Sequence, residues 1–287
     1  MSSLSELYNF ILEDLNYALQ FTPENRINKS YVNLSVVFAI SARVHQVMGN
    51  WQEAASNANS AKKHFEFNAI EFNQGFDDMN NSEWIWAMPQ QLDQSNYFDI
   101  APHSFTDINS DGYGSAYWNR DFVALFSDTD VRNTFTNQFE GEEEIRFNTW
   151  SSSKFKFDFT SDIPIIRSGE MQLIEAEAKA RLGDETEAAN LLFELQKNRD
   201  VNAIPSGNIG ESLIDEILVE RRKELYGEMG VEWYDAKRLR LGISRTGNHR
   251  IKSAADLQPD DKKFYLKIPQ KEIDANNLID ISVNANR

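Results

Sequence analysis

A break that occurs twice limits what this chain can fold into. Gly183-Asp184 interrupts two helical patterns, and Ala188 lies five residues past the glycine. Gly49-Asn50 does the same with Ala54, and an alanine-arginine pair precedes each break, Ala42-Arg43 and Ala180-Arg181. Glycine supplies the left-handed backbone on which a helix often closes. The flanking residues keep a helical period. Met171, Ile174, Ala178 and Leu182 share one face before the second break, and Ala188, Leu191, Leu192 and Leu195 share one after it. Around the first break the corresponding sets are Val37, Ile40, Val44 and Met48, then Trp51, Ala54, Ala55 and Ala58. Two helix-turn-helix units of the tetratricopeptide kind are therefore expected, separated by a long insertion. Such a stack needs about three units to bury its faces. Two more helices are expected to complete it. One follows the capping box Ser3 to Glu6, with Leu4, Leu7, Tyr8, Ile11, Leu15 and Ala18 on one face, and ends before Pro23. The other starts near Leu213 with the stripe Ile214, Ile217, Leu218 and Leu225.

That last stripe carries Arg221 and Arg222 where the apolar face should continue. A guanidinium turned toward a core must be paired, because an unpaired buried charge is very costly. Glu170, Glu175, Glu177 and Glu224 are the candidate partners, in a structural ion-pair network rather than a catalytic one.

Three segments together resemble the SusD/RagB family. They are Pro164-Ile165-Ile166-Arg167-Ser168-Gly169-Glu170 with Met171 to Ala178 behind it, then Glu220-Arg221-Arg222-Lys223-Glu224-Leu225-Tyr226-Gly227-Glu228, then Trp233-Tyr234-Asp235 with Lys237-Arg238. Asp130-Val131-Arg132 resembles a further family element, and Phe264 to Pro269 its closing segment. Met229 stands as a one-residue insertion against the family pattern. The resemblance implies a single SusD-like domain over 1–287. In it, 1–64 holds the first repeat, 65–163 a loop-rich insertion, 164–242 the second repeat and later helices, and 243–287 an irregular tail. It implies a mostly α-helical, tetratricopeptide-like scaffold with few short strands. The implied function is non-catalytic capture of a glycan or other nutrient at the bacterial outer-membrane surface. Delivery would be to a TonB-dependent, SusC-like transporter. The family is exported and anchored through a lipidated cysteine. This chain has no cysteine, no visible signal peptide at Met1, and a beginning that resembles a middle segment of the family. The family's front part and lipid anchor are thus expected to lie outside it.

Composition narrows the partners. The 287 residues are 41% hydrophobic and 26% charged, as in a globular chain. A formal charge of −16 argues against nucleic acid and against an anionic membrane surface, both polyanions, whereas a neutral sugar is compatible with it. No apolar run of about 20 residues could span a bilayer. The absence of cysteine excludes disulfides, thiolate metal sites and a cysteine nucleophile.

In the insertion helical periodicity fades and aromatics crowd among Asn, Asp, Ser and Gly. A loop region this long is usually functional or disordered, and the aromatic content speaks against disorder. Ser82 to Met88 reads as a short strand with Trp84 and Trp86 on one face and Ile85 on the other. Asp121 to Val131 is expected to hold a short helix. A sugar offers an apolar C–H face ringed by hydroxyls, which an aromatic plane and neighbouring amides or carboxylates match. Tyr97, Tyr113, Tyr117 and Trp118 among Asn109, Asp111 and Asn119 make the best candidate platform. The same rings would equally serve to pack the insertion onto the helices. Asp107, Asn109 and Asp111, with Gly112 behind them, match the first half of a calcium loop, although Trp118 at its twelfth position cannot ligate. Turn-forming residues also produce this string by chance. No cofactor beyond that calcium is suggested. No metalloprotease, nucleophile-elbow or phosphate-loop motif occurs. The functional alternatives are a helical-repeat scaffold for a protein partner and, less favoured, a glycoside hydrolase.

Overall fold

A computed structural model describes residues 3–94, 102–106, 114–139, 146–249 and 256–284. Its helices in chain order are α1 (Leu4–Phe21), α2 (Leu34–Met48), α3 (Trp51–Lys62), α4 (Ala69–Phe72), α5 (Pro102–Thr106), α6 (Arg120–Val123), α7 (Ser168–Arg181), α8 (Glu185–Arg199), α9 (Glu211–Leu225), α10 (Val231–Arg238) and α11 (Gln270–Ala275). Among the described residues four short strands, β1 (Trp84–Met88), β2 (Phe135–Asn137), β3 (Trp150–Ser152) and β4 (Ile163–Arg167), pair antiparallel as β1–β4 and β2–β3. The fold is mostly α-helical with few strands, as the periodicity and the resemblance lead one to expect.

Helix α7 is the hub. It touches α2, α3, α8 and α9, and every residue except Lys179 and Arg181 is buried. Met171, Ile174 and Ala178 enter one core with Ala54, Ala55, Ala58 and Ala61 of α3. The alanines bring the two helices close. Leu173, Ala176 and Ala180 enter a second core with the α8 stripe and with Leu213, Ile214 and Ile217 of α9. A helix surrounded on all sides has no wet face on which to leave its polar residues. These are paired instead: Glu170 with Arg43 at 2.6 Å, Glu175 with Lys62 at 3.1 Å, and Glu177 with Arg238 at 2.8 Å and Arg181 at 2.9 Å. One expectation changes here. Leu182 leaves the apolar face and is 46% exposed, because the helix ends at Arg181 and the chain is already turning.

The two hairpins α2–α3 and α7–α8 close alike. Asn50 N–H donates to the His45 carbonyl and Gly49 N–H to that of Gln46; Asp184 donates to Lys179 and Gly183 to Ala180. This is the Schellman arrangement, and both glycines hold the positive φ it needs, 76° and 82°. Stacked through α3 and α7, the hairpins are compatible with tetratricopeptide-type repeats. Helix α1 starts with both bonds of its capping box and packs against α2, but none of its residues is buried. Leu4 and Leu7, expected on the packed face, are exposed, as are Phe10, Tyr17 and Phe21.

The β1–β4 ribbon separates two cores. Its register shifts on either side of Trp86. That irregularity overturns simple alternation: Ile85 and Trp86 both pack toward the helices, while Trp84 and Ala87 join Phe72, Phe76 and Phe155. Trp86 donates its ring N–H to the Ser30 carbonyl at 3.1 Å.

A buried ion cluster ties the ribbon and the loops to α8 and α9. Arg132, Arg167, Arg199, Lys154 and Lys223 face Glu83, Asp130, Glu220, Glu224 and Glu228, so the charges balance. Glu224 lies at its centre. Its Oε1 accepts from Arg167 at 3.0 Å and Arg199 at 2.9 Å, and its Oε2 from Arg132 and Arg199 at 3.1 Å each. Burial alone would raise this carboxyl, but Arg199, Arg167 and Arg132 outweigh burial and hold it far below the usual range. Lys154 bonds Glu228 at 2.6 Å and sits over the Tyr226 ring at 4.2 Å. Burial pulls its ammonium down to about 8, against the opposing effect of Glu228.

The arginine pair on α9 divides. Arg221 is buried and bonds Asp235 at 2.8 Å and Glu170 at 3.4 Å. Arg222 does not turn inward; it is exposed, pairs with Glu232 at 2.7 Å and lies over the Phe122 ring. On a helix, neighbouring residues point about 100° apart, so only one of the two can follow the stripe.

Candidate saccharide-binding face

The segment from Gly114 to Asp121 is held at three points. Ser115 and Ala116 N–H groups both donate to the Phe105 carbonyl at 2.9 Å, which ties the segment to α5. Trp118 N–H donates to the Trp150 carbonyl at 2.8 Å, the isolated bridge that ties it to β3. Asn119 then caps α6, its Oδ1 accepting from Asp121 N–H at 2.8 Å.

Extended backbone sends successive side chains opposite ways. The half-buried Trp118 ring goes inward, edge-on to Tyr226 with centroids 4.8 Å apart and near Phe122 and Phe135. Gly227, at φ 73°, lets the α9–α10 turn approach it; an added Cβ would lie 3.3 Å from the tryptophan and 2.8 Å from Phe155. Tyr117 goes the other way, half-buried, and meets Phe147 edge-on at 6.3 Å. Phe147 is 41% exposed.

A third segment completes the face. Asn119 Nδ2 donates to the Thr246 carbonyl at 2.6 Å, and the Thr246 hydroxyl donates to Asp121 Oδ2 at 2.8 Å. Asn248 accepts from Arg120 N–H at 2.8 Å and donates to the Arg146 carbonyl at 2.7 Å. Residues 114–121, 146–149 and 246–248 are thus joined by hydrogen bonds, and the segment that carries Tyr117 also carries Asp121, bonded to the Thr246 hydroxyl. Apolar ring surface next to fixed polar groups is what a sugar's C–H face and hydroxyls require.

Of the sequence candidates, Tyr117, Trp118 and Asn119 are adjacent here, with Trp118 giving its ring to the aromatic core and Asn119 engaged in capping. Tyr97, Asn109, Asp111 and Tyr113 lie outside the described residues, as does the calcium string Asp107 to Gly112. Among the described residues no three His, Asp or Glu side chains gather as a metal site would require. Phe147 was missed by sequence reasoning: it stands alone, about thirty positions from its partner, and only the β2–β3 pairing and the Trp118–Trp150 bridge bring it near.

Comparison with known proteins relates this mostly helical fold to the SusD class. Residues 147–284 match the SusD family. The chain is 26% identical over 176 residues to the SusD-like protein P38 of Formosa agariphila, covering 58% of this chain and 33% of that one. It is 24% identical to the SusD-like protein P2 of the same organism, covering 95% of this chain and 63% of that one. A SusD-like carbohydrate binding protein from Bacteroides vulgatus superposes with a TM-score of 0.82 at 28% identity, over 96% of this chain and 65% of its own. Just under half of the chain, at its C-terminal side, thus carries the SusD family's pattern, on a fold shared with SusD-superfamily structures. The chain spans from one third to just under two thirds of the length of these relatives.

Proposed function

We propose that this chain holds a glycan without altering it, as part of a nutrient-binding protein on the outer-membrane surface. The bound saccharide is passed to a TonB-dependent transporter of the SusC-like class. The observation that carries the reading is the Tyr117–Phe147 pair, set among three bonded segments, with Phe147 41% exposed. Similarity to a SusD-like carbohydrate binding protein of closely related fold supports it. Asp121 and Thr246 would pair with hydroxyls, while Trp118 and Asn119 hold the platform in place from behind. Asn109, Asp111, Tyr97 and Tyr113 are further candidate contacts by residue type alone.

Calorimetric titration with a panel of oligosaccharides tests this. Phe147→Ala removes ring surface worth roughly 1–2 kcal/mol of contact, so binding should weaken about tenfold with the melting temperature almost unchanged. Unaltered affinity in Phe147→Ala and Tyr117→Ala would remove this face from consideration.

A further inference from the structure

A cleft of about 630 Å³ lies between the C-terminal end of α3, α7 and α8, and it shares no lining residue with the Tyr117–Phe147 face. That falls within the usual span of small-molecule sites, about 300–1,000 Å³. Gln172, 1% exposed, forms its floor. Its amide is fixed by the Leu191 carbonyl at 2.9 Å, by Glu194 at 3.0 Å and by the Lys62 ammonium. Phe65 and Phe67 line one wall, each half-buried and each with a cation over its ring, Lys29 at 6.0 Å and Arg199 at 5.5 Å. Asn59 and Asn198 add two amides to the rim.

The charges decide the ligand class. Lys62, Lys63 and Lys197 line the cleft beside Glu66 and Glu194, and Glu175 pairs with Lys62 from α7. Opposite charges are therefore matched, in a chain whose formal charge is −16. A charged ligand would meet like charges as often as opposite ones and gain little. A neutral polyhydroxylated ligand can use ammoniums and amides as donors, carboxylates as acceptors, and the two phenyl rings for its C–H surface.

We propose that this cleft is a second saccharide site, specific for neutral oligosaccharides and separate from the Tyr117–Phe147 face. It does not depend on that face being a site. Amide ¹H–¹⁵N spectra of the intact chain and of Phe147→Ala, titrated with maltohexaose, xylohexaose and cellohexaose, test it. At least one sugar should shift the amides of residues 59–67 and 194–198 in both proteins. Asn59→Ala and Lys197→Ala, both at exposed positions, should each weaken that response about fivefold, as loss of one hydrogen bond does. No shift at these amides with any of the three sugars overturns the proposal. So does a stronger response there to trigalacturonate, which would make the cleft an anion site. A response confined to the Tyr117–Phe147 face refutes the second site alone, and a response confined to the cleft refutes the first alone.

Discussion

Replacing Glu224 by glutamine changes one atom at the centre of the buried ion cluster. The carboxylate now accepts four guanidinium hydrogen bonds, two at each oxygen. A glutamine keeps one acceptor oxygen and turns an amino group toward two donors. At least two charge-assisted bonds are lost, at about 1.5–3 kcal/mol each. The cluster is also left with one uncompensated buried cation, and breaking a buried pair from one side costs about 3–5 kcal/mol. These are two views of the same loss and are not additive; both put it near ~4 kcal/mol. At roughly 2–4 °C per kcal/mol for a chain of this size, the melting temperature should fall by about 10 °C. Calorimetry or circular dichroism of the variant against the parent measures it. A loss below about 1 kcal/mol would mean that water or a rearranged arginine satisfies the site, and that the cluster does not hold the loops to α9.

Acid should expose the same cluster. Glu224, Glu228 and Asp130 have folded pKa values depressed by their cationic partners, so their contribution is present above the unfolded values, 4.5 for glutamate and 3.8 for aspartate, and is lost as pH falls toward the folded ones. Thermal melts should therefore decline below about pH 4.5, less steeply in Glu224→Gln; equal slopes would contradict the assignment. Gly169→Ala should destabilise although alanine favours helices, because its Cβ would stand 2.7 Å from Glu224 Oε1; overpacking of this kind costs about 1–3 kcal/mol. Arg240→Gly should stabilise by about 0.5–1 kcal/mol. Arg240, at φ 51°, occupies in the Schellman closure of α10 the place that glycine holds in α2 and α7, and its ion pair with Asp260 is exposed. Urea melts would show either sign.

Much of this architecture is legible in the residues. Helix α8 follows its stripe because one side of it faces solvent, and the two glycine closures are local events. Helix α7 is harder to read. Its glutamates and Gln172 look like a wet face, yet each is buried against a partner supplied by another element. Strand β4 passes for a lead-in to the helix because its pairing partner β1 lies far upstream. Arg199 and Glu83 meet across 116 positions, and no local pattern announces that. The three family segments do contain Arg167, Glu220, Glu224 and Glu228, so the resemblance carried part of the cluster that periodicity could not. The candidate face was half legible. Tyr117 to Asn119 stood out as an aromatic-amide run, but a run does not say which ring turns inward. Backbone alternation and the Gly227 approach decide that for Trp118.

Central to this account is retention of a sugar without reaction. Incubating the intact chain with a broad oligosaccharide panel, and following both saturation by calorimetry and the sugar's fate by chromatography, tests it most directly. The expected result is saturable binding of at least one oligosaccharide, recovered intact after prolonged incubation. Recovery of shortened sugars, or no binding to any member of the panel, would contradict it.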